Sequence, residues 1–272
     1  MKILASLVLY KHQYNDIKPT LDALTNELSV SKIVIVDNGR GCEWLKTYSH
    51  PKVEILTLET NCGFGTGHNE VFRRYSDQYE FTLICNPDIA FKTGEVDKLY
   101  RFSIGNSIGL SIPKVVYPDG SLQHSCRLLP SPYQLFIRRF FTRFSQSVNE
   151  TYELHQADLN QAFFAPSLSG CFMLMSRDAL KETKGFDPRF FLYLEDVDLS
   201  RRVSQSEFAV RYCPDSVVVH EAQRSSYQNK KFMIYHVVSA IKYFNKWGWF
   251  CDKERAQLNQ KCLSQLPTKN GR

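Results

Sequence analysis

Three carboxylates crowd one short stretch of this chain. In FLYLEDVDLSRR, residues 191–202, Glu195 and Asp196 are adjacent and Asp198 follows two places on. Phe190, Phe191 and Tyr193 come just before them. A helix starting near residue 194 puts Glu195 and Asp196 in its first turn, where the helix dipole favours negative charge. That alone accounts for acids at a helix start. It also describes a general base, which must be ionised at neutral pH to take a proton. Asp198 projects from a different face of such a helix and cannot share the role of Asp196 directly. The aromatic residues are not needed for a helix start, and they would make a good floor for a sugar ring.

Other polar residues follow apolar runs. In VDNG, Asp37 and Asn38 read first as a turn. The functional reading is a carboxylate that accepts hydrogen bonds from the base or ribose of a nucleotide. In NCGFGTGHN, Gly63, Gly65 and Gly67 let a backbone approach a ligand closely, ahead of a helix whose N-terminus points at it. A dinucleotide fingerprint is excluded, because His68 stands where the third glycine belongs and the loop follows the third strand. In ICNPDIAF, Asp88 comes directly after Pro87. It reads either as an Asx turn or as a ligand of Mg2+ or Mn2+, ions that take few protein carboxylates when phosphates and waters complete the shell. His220 ends the run SVVVH, with Arg224, Ser225 and Ser226 after it. A lone histidine is usually structural, but this cluster also suits a metal or a phosphate.

The elements that must position these residues follow from periodicity. Short apolar runs in ILASLVLY (3–10), KIVIVDNG (32–39), KVEILTLE (52–59) and EFTLICNPD (80–88) alternate with helical patterns. The pattern over 16–28 puts Ile17, Leu21, Leu24 and Leu28 on one stripe. The β-α rhythm predicts an α/β fold with a mostly parallel central sheet flanked by helices. Ligands bind such sheets at the carboxyl ends of strands, where Asp37, Asn61 and Asp88 fall. In the second half, YPDGSLQ predicts a hairpin. LSGCFMLMSRDAL predicts a strand and then a helix. FAVRYCPDSVVVHEA predicts two short strands broken at Cys213 and Pro214. A helix is expected over 229–249, and a loose polar tail from Lys253.

The 272 residues suffice for one large domain or two small ones. The net charge of +6 is mild, and it suits an anionic ligand such as a nucleotide diphosphate or a phospholipid surface. With no long Lys/Arg block and no nucleic-acid motif, no nucleic-acid partner is expected. The 8 cysteines form no C-x-x-C, and no signal peptide is evident, so reduced thiols and a cytoplasmic location are expected. No apolar run nears the about 18–20 residues of a membrane span. The basic aromatic stretch FIRRFFTRF and the helix over 229–249 read equally as interfacial helices or as packed helices with a basic outer face.

Taken together, VDNG, NCGFGTGHN, NPD, SGCFMLMSR, GFDPRFFLYLEDVDLSRR, HEAQRSS and the helix FMIYHVVSAIKYFNKWGW resemble the family 2 glycosyltransferases. Within that family the resemblance is to the bacterial rhamnosyltransferase-like branch, and it runs over residues 3–247. It implies a GT-A fold: one domain over 1–250, with a nucleotide-sugar half to about 115, an acceptor and catalytic half over 116–250, and a polar tail over 251–272. It implies Asp196 as catalytic base with Glu195 beside it. Tyr10, Asp37, Asn38, Asn61, Gly63, Phe64, Gly65, Asn69, Asn86 and Asp88 would form the donor site. Gly170, Cys171, Phe191 and Tyr193 would face the acceptor. Asp88 and His220 would hold Mg2+ or Mn2+, with Asn86 in place of the first Asp of the family's D-x-D. The implied reaction inverts the anomeric centre and is most simply read as transfer of L-rhamnose from dTDP-L-rhamnose, with a UDP-hexose as the alternative donor. The implied acceptor is a glycan or undecaprenyl-linked glycan of a bacterial surface polysaccharide such as O-antigen or capsule, with peripheral contact at the cytoplasmic face of the inner membrane. The stretch LYKHQYN departs from the family's pattern after the first strand, at Lys11 and His12.

Two rivals make distinct predictions. A sugar-phosphate nucleotidyltransferase wants a Gly- and Arg-rich loop after the first strand, and residues 10–16 contain no glycine. A degenerate glycan-binding protein predicts loss of Asp196 or Asp88, and both are present.

Overall fold

A computed structural model describes residues 2–140, 146–221 and 230–267. In chain order the first half contains β1 (Ile3–Leu9), α1 (Tyr14–Asn26), β2 (Val30–Asn38), β3 (Val53–Leu58), α2 (Phe64–Tyr75), β4 (Phe81–Cys85), β5 (Ile89–Ala90) and α3 (Glu95–Ile104). The second half contains β6 (Ile108–Val116), β7 (Cys126–Arg127), α4 (Pro132–Phe140), α5 (Gln146–Tyr152), β8 (Ser167–Leu168), β9 (Phe172–Ser176), α6 (Arg177–Thr183), α7 (Glu195–Ser204), β10 (Ala209–His220), α8 (Lys230–Trp247) and α9 (Lys253–Leu263).

One eight-stranded sheet runs through both halves in the order β3-β2-β1-β4-β9-β6-β10-β5. The pairs β1 with β2, β2 with β3, β1 with β4 and β6 with β10 are parallel. β9 enters antiparallel between β4 and β6. Every residue of β1 and of β4 is buried. Such strands read as continuous apolar runs because helices cover both faces of a parallel sheet. Each buried Val, Leu or Ile contributes about 1.5–3 kcal/mol, so these runs fix the central register.

Three expectations need correction. Leu28 lies beyond the end of α1 and is 94% exposed, so the buried stripe stops at Leu24. The break expected at Pro214 is a register slip between Cys213 and Val217 inside one twelve-residue strand. Pro214 falls within the slipped segment, where the ladder does not require its missing N–H.

The third concerns the tail. Residues 253–263 form α9, and Cys262 is fully buried. The Asp252 side chain caps this helix by accepting from the Arg255 N–H. Asp252 also takes two hydrogen bonds of 2.7 Å from the Arg201 guanidinium, which lies 4.1 Å from the Trp247 ring centre. Both partners of this pair are almost fully buried. Removing one would leave an uncompensated buried charge, which costs about 3–5 kcal/mol.

Candidate active site

The expected turn after β4 carries Asp88 and is tied down on several sides. The Asn86 N–H donates to the Cys171 carbonyl at 2.8 Å. Thr20 of α1 donates its hydroxyl to the Pro87 carbonyl at 2.5 Å and accepts from the Ile89 N–H at 3.2 Å. The Glu221 N–H donates to the Asp88 carbonyl at 2.9 Å. The sheet order brings β10 beside β5, and this sets His220 against Asp88. His220 Nε2 lies 3.2 Å from Asp88 Oδ1, and His220 Nδ1 lies 3.0 Å from the Gln123 side-chain oxygen. With an acceptor at each nitrogen, the ring is an imidazolium. Burial works against that charge, but Asp88, with the Cys171 side chain adding, pushes the His220 pKa up to about 10. Burial likewise works to raise the Asp88 carboxyl, and His220 outweighs it, so the carboxyl is held below its usual range.

Glu195 and Asp196 open α7 as expected, but their surroundings differ. Asp196 is half-buried. One of its oxygens accepts from the Gly170 N–H at 2.9 Å and the other from the Val197 N–H at 2.8 Å. A side chain at Gly170 would place its Cβ 3.1 Å from the Asp196 Cβ. Glu195 points inward, is 5% exposed, and has an oxygen with no hydrogen-bond partner. Burial, with the Asp196 charge adding, raises its carboxyl well above the usual carboxylate range. The adjacent acids are thus one turned inside, with its carboxyl raised, and one half-buried beside Gly170. Asp198 is fully buried and bonded to Arg202, Lys246 and Trp247, so it braces the helix.

The approach to α7 is strained. Tyr193 and Leu194 both have left-handed backbone, with φ of 71° and 64°. That conformation costs a non-glycine residue about 1–2 kcal/mol, so neighbouring contacts must hold it. Ser239 of α8 donates to the Leu192 carbonyl at 2.8 Å, and Phe64 of α2 donates its N–H to the Phe191 carbonyl at 3.0 Å. Phe191 lies against Tyr235, and Tyr193 against His236.

The glycine loop does something other than cradle a ligand directly. A Cβ at Gly63 would fall 2.3 Å from the Phe191 carbonyl oxygen, and one at Gly65 would fall 2.7 Å from the Phe186 Cβ. At Gly67 it would meet the Val8 side chain at 2.9 Å. These glycines let α2 close against β1 and against the segment before α7. The amides serve the same end. Asn38 donates to Asn61 and to the Gly63 carbonyl, and accepts from the Cys62 N–H. Asn61 accepts from the Gly63 N–H, and Asn69 clamps the Phe186 backbone through two hydrogen bonds. His68, fully buried, bonds Ser6, and burial lowers its pKa to about 3.

On the other side of β1, Asp37 accepts from the Gly41 N–H at 2.9 Å. It borders a cavity of about 370 Å³ that Arg40, Lys46 and Thr57 also line. Tyr10 is 43% exposed at the end of β1, with the Lys11 ammonium over its ring. Lys11 has φ of 61° and packs against Gly41. The field of Asp88 reaches His12, although burial is the stronger influence and lowers the His12 pKa.

The dipeptide Gly170 and Cys171 joins the two corners. Gly170 holds Asp196, while Cys171 holds the turn of Asp88 and faces His220. Two further residues belong here that no sequence pattern marks. Gln123 orients His220, and Arg127 of β7 lies within the fields of Glu153 and Asp196 with a buried Nε that has no hydrogen-bond partner. Each sits in an irregular stretch without periodicity. Arg224, Ser225 and Ser226 lie outside the described residues. Among the described residues no group of three or more His, Cys, Asp or Glu could hold a metal, and no helix is long and apolar enough to cross a membrane.

Comparison with known proteins gives the class. A family model for "Glycosyltransferase like family 2" matches residues 128–235. The fold matches that of Staphylococcus aureus TarS 1–349 in complex with UDP, with a TM-score of 0.58 and 14% identity, over 97% of this chain and 71% of that one. It also matches GalNAc-T7 crystallised with UDP, GalNAc and Mn2+, with a TM-score of 0.59 and 12% identity, over 80% of this chain and 43% of that one. These neighbours establish the GT-A fold. In sequence, the chain is 27% identical over 220 residues to the N-acetylglucosaminyl-diphospho-decaprenol L-rhamnosyltransferase of Mycobacterium tuberculosis, covering 75% of this chain and 70% of that protein. It is 23% identical over 249 residues to rhamnosyltransferase WbbL of Escherichia coli K12, covering 87% and 91%. The chain is thus similar to family 2 glycosyltransferases over residues 128–235 and, along most of its length, to these rhamnosyltransferases.

Proposed function

We propose that this enzyme transfers L-rhamnose from dTDP-L-rhamnose to a lipid-linked glycan, with inversion at the anomeric carbon. The observation that carries this reading is the arrangement about Gly170 and Cys171, which puts a half-buried carboxylate beside a second corner suited to a diphosphate. Rhamnose as the sugar is supported by the two relatives and their printed activities.

In this reading Asp196 takes the proton of an acceptor hydroxyl. The freed oxygen attacks the anomeric carbon from the face opposite the nucleotide. The bond from that carbon to the diphosphate oxygen breaks, and the electron pair leaves with the diphosphate. Phe191 and Tyr193 give the acceptor sugar an apolar floor, and Gly170 and Cys171 form its wall. Glu195 lies buried behind the base, and burial with the Asp196 charge beside it disfavours a second negative charge there. Asp37 binds the base or ribose, with Tyr10 nearby. The Asn38, Asn61, Gly63, Phe64, Gly65 and Asn69 network shapes the donor pocket from behind, and Asn86 with Asp88 faces the diphosphate.

Asp88 and His220 suit a divalent cation in part. The Asp88 oxygen at that corner is buried against His220 Nε2 at 3.2 Å, and that nitrogen becomes a ligand once its proton leaves. Two protein ligands are enough when a diphosphate and waters complete the shell. Bound Mg2+ or Mn2+ would neutralise charge developing on the diphosphate. Without it, the protonated His220 itself supplies a positive charge there. The lipid-linked acceptor and the acid-free basic helices α4 and α8 also favour peripheral contact with the cytoplasmic face of a membrane.

Melting temperatures with dTDP, UDP and GDP, each with and without Mn2+, test the donor. Ligand at about 100 times its Kd adds roughly 2.7 kcal/mol. Stabilisation by dTDP above the other two is expected, together with release of dTDP when dTDP-L-rhamnose and acceptor are mixed. A preference for UDP would overturn the donor, and silence toward all three would overturn the site.

A further inference from the structure

Helix α8 is apolar on two faces. Ser239, Tyr243 and Phe244 turn inward and are buried. Ile234, Val237, Val238 and Ile241, spaced as one helical stripe, turn outward and are 58%, 42%, 40% and 43% exposed. A surface helix normally gives its outer face to polar residues. Between α8 and α4 lies a groove of about 310 Å³ whose lining is almost wholly carbon, including Leu135, Phe136, Val237, Ile241 and Trp249. Contiguous exposed apolar surface of this kind marks a binding surface.

The two helices that form it are basic in sequence. Over α4 and α8 the chain carries six Lys or Arg and no Asp or Glu, of which Lys246 is paired with Asp187 and Asp198. A carbon-lined groove on two basic, acid-free helices matches an amphiphile with a long hydrocarbon chain and an anionic head. The groove also reaches the acceptor floor, since His236 lines it and lies 5.4 Å from the Tyr193 ring.

We propose that the groove between α4 and α8 binds the isoprenoid chain of the acceptor's diphosphate lipid and so guides the glycan to Asp196. The idea rests on the glycosyl-transfer reading for its acceptor, but the groove can be tested without turnover. Trp249 lines it and is partly exposed, so its fluorescence reports occupancy directly. Farnesyl diphosphate should change that signal saturably, a Trp249→Phe variant should lose the change, and inorganic diphosphate alone should produce none. Ile241→Glu, at an exposed position, should weaken farnesyl diphosphate at least tenfold with an unchanged melting temperature. An equal response to diphosphate alone, or an unaltered Ile241→Glu affinity, would overturn the proposal.

Kinetics separate it from the reaction itself. With detergent-dispersed acceptors, Ile241→Glu should raise KM at least tenfold for a long isoprenoid chain and leave a short, water-soluble chain unaffected. If the variant loses binding to anionic vesicles while KM for the long-chain acceptor stays the same, the face contacts the bilayer and the chain does not occupy the groove. If wild type turns over neither acceptor, the transfer reading falls, and the Trp249 titration still decides whether the groove binds isoprenoid.

Discussion

Asp88 and Asp196 sit at opposite ends of one dipeptide and are held by opposite means. Asp196 takes both of its hydrogen bonds from backbone N–H groups, of Gly170 and Val197. Asp88 faces a charged side chain, His220, that is itself oriented by Gln123. A carboxylate held by the backbone keeps its position with no side-chain cation hydrogen-bonded to it, which leaves it open to a partner from solvent. A carboxylate paired with imidazolium is already committed to balancing charge, and what it gains from a ligand is a change of partner. The contrast teaches that a site can set two carboxylates to different tasks by the kind of donor it gives them, here backbone N–H in one case and a side-chain cation in the other.

The most severe test of the contrast is Asp196→Asn. The amide oxygen still accepts from Gly170, but the amide nitrogen cannot accept from Val197, so a small loss of stability of about 1 kcal/mol is expected, with nucleotide binding unchanged, while kcat falls by about 10²–10⁴, the usual worth of a positioned base. An unaltered rate would place the base elsewhere. Asp88→Asn should act on the other side of the division. Nucleotide diphosphate affinity should fall about tenfold or more in calorimetric titration, and the His220 ring should titrate nearer its ordinary pKa of 6.5 by NMR. If Asp88→Asn lowered only kcat and left affinity intact, the two corners would not have separate roles. Gly170→Ala asks how closely the backbone positions the base. Its Cβ would press on Asp196 at 3.1 Å, while the nearest atom of Phe64 is 3.6 Å away. A shift of a few tenths of an ångström should lower kcat by about tenfold with KM little changed, since misplacement by about 1 Å costs up to 10²-fold.

The two corners were not equally readable in the sequence. The place of Asp196 in the first turn of a helix was, because adjacent acids after aromatics at a helix start form a local pattern that folding does not alter. The parallel strands were also clear, since burial on both faces leaves uninterrupted apolar runs such as those of β1 and β4. The division of labour between Glu195 and Asp196 was hidden, because it depends on which way each side chain turns once α7 packs. The glycines were visible, but their purpose was not. Gly63 and Gly65 make room for Phe191 and Phe186, more than a hundred residues away, and no local pattern carries that. Gln123 and Arg127 come from a stretch with no period at all; Gln123 meets His220 because β10 lies between β6 and β5, and Arg127 enters because β7 pairs with β8, just ahead of Gly170. The helix after Asp252 was missed for a similar reason: its anchor is Arg201, and a polar sequence docked through a buried ion pair looks like a tail.

The smallest expected effect concerns pH, and it separates the corners without any substrate. His220 has its pKa raised from 6.5 to about 10 in the folded protein. The folded state therefore holds a proton that the unfolded chain gives up, and the stabilisation is complete below pH 6.5. As pH rises from there through about 10 it is lost. For Asp88 the sign is reversed, since its lowered carboxyl contributes above the unfolded value of 3.8 and loses that contribution as pH falls. Between these limits the pair is intact. Other groups titrate in the alkaline range, so the useful quantity is the difference between wild type and Asp88→Asn. That difference should be greatest near pH 6 and should narrow by about 2–4 °C in melting temperature toward pH 10, the shift expected for about 1 kcal/mol in a chain of this size. The same comparison made with Asp196→Asn should leave the titration of the His220 ring in place, because no imidazolium depends on Asp196, and its own pH dependence follows Glu195, which loses the Asp196 charge. A constant gap for Asp88→Asn would mean that His220 is neutral at rest and already presents a lone pair to the corner.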